Sequence, residues 1–222
     1  MNNNIITYDL LIWIGLLITI ISQILVSASY SRFKKKLNNK DITGFDAARK
    51  ILDKNDLKDI MILETKGNLT DHYDPTRKVI KLSTDIYHGS SIASVAVAAH
   101  ECGHAIQDKE NYKPMRIRSK IVPTVNLCTK LGYLAIVIGA IFSYKLMEIG
   151  IILLLALLAF QLITLPVEFN ASSRALKELK KILLPKHDDQ MLQLIVMGSQ
   201  WGNILRIWDA LAAQVKNTQQ AI

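Results

Sequence analysis

Residues 91–107, SIASVAVAAHECGHAIQ, decide how the rest of the chain is arranged. Small apolar residues fill the first half, and a serine at position 90 or 91 can act as the N-cap, so the stretch predicts one buried helix. His100 and His104 are four residues apart, which places both imidazoles on one face of this helix. Two histidines and a glutamate in a buried helix cost free energy unless a partner satisfies them.

The pattern His100-Glu101-Cys102-Gly103-His104 is the HExxH motif. Both imidazoles can bind one metal ion from the same side, and Glu101 lies close enough to take a proton from a water on that ion. A helix that carries two histidines by chance is the alternative, and the apolar context argues against it. The sequence therefore predicts Zn²⁺ as cofactor, His100 and His104 as ligands, and Glu101 as general base.

Composition leaves room for one domain and several membrane spans, since the chain has 222 residues and half of them are hydrophobic. The formal net charge is +8, but no nucleic-acid-binding motif accompanies it. We therefore expect the cations to face a membrane surface, with no nucleic-acid partner. The two cysteines, Cys102 and Cys128, do not suggest a structural disulfide.

Three apolar stretches predict three transmembrane helices. Residues 8–30 are long enough to span a bilayer and are followed at once by basic residues, as in a retained anchor rather than a cleaved signal peptide. A buried core helix is the alternative for this stretch. Residues 125–144 and 149–167, joined by a tight connection at 144–148, predict a helical hairpin through the membrane.

Three short strands are expected between the anchor and the HExxH helix, at residues 60–65, 69–73 and 79–83. We expect them to form an antiparallel sheet, with a hairpin turn at Gly67-Asn68. An edge of such a sheet either binds substrate as an added strand or is an ordinary edge, and the sequence leaves both open. A helix is expected at residues 45–54.

The distribution of lysines and arginines predicts the orientation of the chain in the membrane. Of the 27, 19 lie between residues 32 and 130 and seven follow residue 168, whereas Lys145 alone lies between the second and third spans. Basic residues concentrate on the cytoplasmic side of membrane proteins, so we expect the HExxH helix and Glu168 at the cytoplasmic face. Three cations that follow the HExxH helix would suit lipid headgroups: Arg116, Arg118 and Lys120.

Three separated runs resemble the YugP-type bacterial neutral zinc metallopeptidases, membrane proteins similar in layout to HtpX and the CAAX prenyl proteases: DHYDPTRKVIKLS (71–83), VAAHECGHAIQ (97–107) and TLPVEFNASSRAL (164–176). The resemblance implies a gluzincin, in which a glutamate beyond the HExxH helix is the third zinc ligand. Glu168 matches that motif position. In HtpX-like enzymes an aspartate follows this ligand by four residues, and here Ser172 stands at that position.

Three other acids compete with Glu168 for the role of third ligand. Asp108 lies four residues after His104 on the same helix, Glu110 occupies the place of the third histidine of metzincins, and Asp71 lies among the strands. The apolar hairpin between His104 and Glu168 returns the chain to the same face, which favours Glu168. A simple helix-start carboxylate at the membrane interface is the remaining interpretation of this residue.

The sequence thus predicts a mostly α membrane protein with three transmembrane helices and a small α+β zincin-like domain, which consists of a short antiparallel sheet and the HExxH helix. Four parts are expected: a transmembrane anchor (8–30), a zincin-like catalytic domain (31–120), a transmembrane helical hairpin (121–167) and a helical cytoplasmic segment that completes the zinc site (168–222).

The expected function is that of a zinc metalloendopeptidase of the bacterial cell membrane, multi-pass, with its active site on the cytoplasmic side. It would cleave membrane-associated peptides or proteins through a zinc-activated water, with Glu101 as general base. His72, Tyr73 and Arg174 are candidate oxyanion or substrate contacts. The alternative is a proteolytically inactive membrane scaffold with a structural zinc site, but such a site needs no base and usually has four protein ligands.

Overall fold

A computed structural model of the chain describes residues 30–38, 40–67 and 70–183, together with a few isolated positions of the N-terminal stretch: Leu17, Ile20, Ile21, Ile24, Ser27 and Ala28. The described residues between 17 and 34 are helical. Most of the expected anchor, and the expected segment from residue 184 onwards, lie outside the described residues.

The described elements are mainly helices, with a small sheet among them. In chain order they are α1 (Gly44–Lys54), β1 (Met61–Thr65), β2 (His72–Asp74), β3 (Val79–Ser83), α2 (Thr84–His88), α3 (Ile92–Lys109), α4 (Lys113–Phe142) and α5 (Tyr144–Leu183). This composition confirms the expected mostly helical fold with three short strands, and the HExxH residues lie in α3.

Side-chain caps fix the start of the two helices that form the core. The Thr43 hydroxyl accepts a hydrogen bond from Asp46 N–H, and the Asp46 carboxylate accepts one from Thr43 N–H, which is a capping box at the start of α1. At the start of α3, the Ser91 hydroxyl accepts from Ser94 N–H. These bonds satisfy backbone groups that a first helical turn leaves unpaired, so both helix starts are encoded locally.

The core lies where α1 and the sheet pack against α3, which is buried along nearly its whole length. Ile51 and Leu52 of α1 and Ile80 and Leu82 of β3 are fully buried. Each such side chain contributes about 1.5–3 kcal/mol when it is transferred from water to the core. The small residues of α3 let these larger side chains approach its backbone, and this packing holds the HExxH helix in place.

The prediction of an antiparallel sheet is wrong, because the sheet is mixed. Its strand order is β1-β3-β2, and the central strand β3 pairs in parallel with β1 and antiparallel with β2. The Asp71 carboxylate accepts hydrogen bonds from the N–H and the hydroxyl of Ser83, at 2.7 and 3.0 Å. This bond ties the chain before β2 to the end of β3. Because β1 and β2 are not neighbours in the sheet, Gly67 does not close the expected hairpin.

Helices α4 and α5 form a hairpin whose break is the single residue Ser143. The expected connection at residues 144–148 is wrong, since α5 already begins at Tyr144. At the tip a Cβ on Gly139 would lie 2.3 Å from Met147 N, so only glycine allows this close approach. Both helices are long and apolar enough to cross a membrane, which makes them two candidate spans among the described residues.

A second glycine brings α3 and α5 together. A Cβ on Gly103 would lie 2.3 Å from Ala171 O, so any side chain there would push the two helices apart. On the facing side of α5, Ala171, Ser172 and Ala175 are buried. Small residues on both surfaces therefore place the histidine-bearing helix directly against the helix that carries Glu168.

Candidate metal centre

Three buried residues from two helices converge at this contact. His100 and His104 come from α3 and Glu168 from α5, and one ligand atom of each lies within 4.8 Å of the others. Glu168 Oε2 is 3.2 Å from His100 Nε2 and 3.4 Å from His104 Nε2. The structure thus brings together the three residues that the sequence singled out as ligands.

The second nitrogen of His104 is held by a buried amide. His104 Nδ1 lies 3.0 Å from Gln107 Oε1, and the Gln107 amide nitrogen donates to Val167 O at 2.7 Å and to Asn170 Oδ1 at 3.0 Å. Because those two bonds orient the amide, its oxygen faces the imidazole and can only accept. Nδ1 therefore carries the hydrogen, and Nε2 is directed to Glu168.

The second nitrogen of His100 faces a hydroxyl. Ser172 Oγ lies 3.1 Å from His100 Nδ1, and Ser172 is fully buried. A metal-ligating histidine normally has its other nitrogen hydrogen-bonded, which fixes the ring. At the position where HtpX-like enzymes have an aspartate, the serine of this chain makes that contact, and both imidazoles are thus held by neutral groups.

The charge of Glu168 dominates the electrostatics around His104. Burial disfavours the charged imidazole, but the hydrogen bond to Glu168 and its negative charge outweigh burial, so the pKa of His104 is raised.

Cys102, between the two histidines in sequence, takes no part in this cluster. Its thiol contacts Ala48 O of α1 at 3.6 Å, and burial raises its pKa, so it stays protonated.

Glu101 is buried beside the cluster and is held by the sheet. The backbone N–H of Tyr73, in the edge strand β2, donates to Glu101 Oε2 at 3.0 Å. The Glu101 carboxylate is thus fixed between β2 and α3, next to His100. Strand β2, although only three residues long, therefore holds the predicted general base in position.

The side chains of the two predicted substrate contacts in β2, Tyr73 and His72, have partners outside the cluster. The Tyr73 hydroxyl donates to Asp108 Oδ2 at 2.7 Å, and Lys78 also pairs with Asp108. Burial and the bond to Asp108 raise the pKa of Tyr73, so its hydroxyl stays protonated. His72 is exposed, with Nδ1 at 2.7 Å from Thr70 O. The roles of His72 and Tyr73 as substrate contacts stay predictions.

The acids that compete with Glu168 on sequence grounds contact other groups. Asp108 pairs with the tyrosine and lysine just described, and Asp71 holds Ser83 at the end of β3. Glu110 Oε2 lies 2.7 Å from a guanidinium nitrogen of Arg174. Arg174 also donates from Nε to Asn170 Oδ1 at 2.6 Å, and its role as a substrate contact stays a prediction.

Comparison with known proteins agrees with this arrangement. Residues 8–196 match the model of a family described as "Putative neutral zinc metallopeptidase". A Bacillus subtilis (strain 168) protein named "Putative membrane protease YugP" is 46% identical over 155 residues, which are 69% of this chain and 69% of that relative. The chain belongs to this neutral zinc metallopeptidase family. The resemblance carried by the three sequence runs is thus confirmed. No solved structure matches the chain.

The donor set of this family member fits zinc. Zinc binds imidazole nitrogen and carboxylate oxygen at about 2.0–2.2 Å, so two donors of a tetrahedral site lie roughly 3.3 Å apart. Glu168 Oε2 lies 3.2 and 3.4 Å from the two Nε2 atoms. Two nitrogens and one carboxylate oxygen leave a fourth position open, as in catalytic rather than structural zinc sites.

Two residues of the site were missed by sequence reasoning. Gln107 has a signal in the sequence, because it lies three residues after His104 and therefore shares its helix face. Arg118, which we assigned to lipid headgroups, has its guanidinium nitrogen Nη1 3.1 Å from Glu168 Oε1. The sequence around Arg118 does not indicate this contact, since it joins α4 to α5.

Proposed function

We propose that the chain is a membrane-embedded zinc endopeptidase in which His100, His104 and Glu168 hold the metal and Glu101 is the general base. One observation carries this proposal: the three donors converge from two helices directly beside Glu101. Membership of the zinc metallopeptidase family and the name of the Bacillus relative, a membrane protease, support it.

In this proposal the residues have separate tasks. A zinc ion bound by these residues would supply Lewis-acid chemistry for the peptide carbonyl and for a water molecule. Glu101 takes the proton and passes it to the leaving amine, while the Tyr73 N–H holds its carboxylate in place. Ser172 and Gln107 keep the two imidazoles turned so that Nε2 of each faces the metal position.

From the hairpin we infer that this chemistry takes place at a membrane surface. Helices α4 and α5 both lead away from the cluster into segments whose large apolar side chains are exposed: Leu127, Leu134, Val137, Ile141, Phe142, Ile151 and Ile152. Exposed apolar surface of this extent suits lipid. We propose a multi-pass protein with a third span at residues 8–30, an active site on the cytoplasmic side and membrane-associated peptide or protein substrates.

We propose four parts: an anchor (8–30), a catalytic domain (31–120), a membrane hairpin (121–167) and a helical cytoplasmic segment that completes the zinc site (168–222). The role of the last part is supported by Glu168 at its start, whose Oε2 lies 3.2 Å from His100 Nε2.

Chelation tests the enzyme against the scaffold alternative. In detergent, the purified protein should contain about one zinc ion per chain and cleave a casein-type substrate, and 1,10-phenanthroline should reduce cleavage at least about tenfold because the ion is part of the reaction. Readdition of zinc should restore the rate. Bound zinc without any cleavage would support the scaffold instead, and cleavage unaffected by metal removal would contradict the proposal.

Cysteine labelling tests the topology. Single cysteines at positions 3 and 145 should react with a membrane-impermeant maleimide in intact cells, whereas cysteines at positions 36, 81 and 177 should react only after permeabilisation. The parent would carry serine in place of Cys128, and Cys102 is buried. Labelling of position 81 from outside would overturn the orientation.

A further inference from the structure

The turn between α3 and α4 directs a cationic side chain back towards the metal cluster. Glu110 caps α3, Asn111 adopts a left-handed backbone conformation with φ of 56°, and Tyr112 N–H donates to Gln107 O at 2.9 Å. These features reverse the chain within a few residues. The second turn of α4, which carries Arg118, therefore lies over the part of α5 that carries the carboxylate ligand.

Arg118 contacts the oxygen of Glu168 that the histidines do not use. Its Nη1 lies 3.1 Å from Glu168 Oε1, whereas Oε2 faces His100 and His104. The Glu168 side chain is 7% exposed and that of Arg118 is 33% exposed. The two oxygens of one buried carboxylate thus have different partners, one for the metal position and one for a guanidinium.

This division has a geometric consequence for the ligand. The guanidinium of Arg118 is planar and presents its donors in a fixed arrangement. Its contact with Oε1 opposes rotation of the Glu168 carboxylate, which would otherwise exchange the two oxygens.

We propose that Arg118 is a positioning residue of the zinc site, which holds the Glu168 carboxylate turned so that a single oxygen faces the two histidines. The inference rests on the proposed role of Glu168 as a zinc ligand. It gives α4, a candidate membrane span, a direct part in the geometry of the metal centre.

Two substitutions of Arg118 test this role by metal binding and spectrum rather than by activity alone. Arg118→Gln should weaken zinc binding about 10–100-fold in a chelator competition, as is typical for loss of a group behind a metal ligand, and should alter the visible absorption spectrum of the cobalt-substituted protein. Arg118→Lys should recover part of the affinity because it keeps the charge but loses the planar fork. Arg116→Gln is the matched control on the same helix, since Arg116 is exposed and contacts Asn111.

A double-mutant cycle with Glu168→Gln separates this inference from the proposed function. If Arg118 acts through the carboxylate, Arg118→Gln should cause no further loss of affinity in that background. Wild-type affinity and spectrum in Arg118→Gln, or an equal loss with and without Glu168, would overturn the role of Arg118 while the ligand set stands. Full zinc affinity in Glu168→Ala would overturn the ligand set itself, and the role of Arg118 with it.

Discussion

Replacement of Glu101 by glutamine is expected to lower peptide hydrolysis by at least about a hundredfold and to leave zinc bound, because the amide cannot accept a proton during the reaction. Glutamine has nearly the same shape, and its carbonyl oxygen can still accept the hydrogen bond from Tyr73 N–H that the structure shows at 3.0 Å. The fold and the ligand set should therefore be preserved. Initial rates on a casein-type substrate, together with zinc content, measure both parts of the expectation.

Glu110→Gln is the matched control for this substitution. Glu110 lies at the end of the same helix, but its side chain is 54% exposed and pairs with Arg174 rather than with the histidines, so its loss should leave the rate near that of the wild type. Undiminished cleavage in Glu101→Gln would remove Glu101 from the mechanism. Loss of zinc in the same variant would instead show that Glu101 contributes to the metal site.

The second large effect is expected for Glu168→Ala, which should lose zinc and activity together. Two histidines alone leave the ion without the third protein ligand that catalytic zinc normally has. Loss of a supporting group behind a ligand already costs about 10–100-fold in affinity, so we expect removal of the ligand itself to exceed about a hundredfold. Zinc affinity by chelator competition and cleavage rate of the same preparation are the two readouts.

Comparison with the other acids makes this test specific. Asp108→Ala and Glu110→Ala should keep wild-type zinc content, since Asp108 contacts the Tyr73 hydroxyl and Lys78 while Glu110 contacts Arg174. Full occupancy and activity in Glu168→Ala would defeat the assignment of this ligand. Loss of zinc in Asp108→Ala alone would transfer the role to α3.

Local signals explain what could be predicted from the sequence. The start of α3 at Ser91 follows from a capping serine before an apolar run, and His100 and His104 share a face because helical spacing requires it. Glu168 was predicted mainly from a motif resemblance, and the small residues of α5 that follow it fit the close contact with Gly103. The helix start and the histidine spacing depend on residues close together in the sequence, whereas Glu168 lies far from α3 along the chain and needed the resemblance.

Contacts between distant elements explain what could not be predicted. The alternating pattern of a strand shows which face is buried but not which strand is its neighbour, so the parallel pairing of β1 with β3 had no local signature. The bond between Asp71 and Ser83, which ties the chain before β2 to the end of β3, spans twelve residues. Arg118 looked like a headgroup contact because only the packing of α4 on α5 brings it to Glu168.

The division of the proposed ligands between α3 and α5 would also make a bound zinc ion a cross-link. Two donors belong to the helix at the centre of the core and one to the long helix that forms half of the hairpin, so an ion held by all three fastens these two parts of the molecule. Binding adds to stability by mass action, about 2.7 kcal/mol when free metal is a hundred times the dissociation constant. If the proposed ligand set holds, we expect a chain made under zinc starvation to be more loosely assembled and therefore more exposed to degradation.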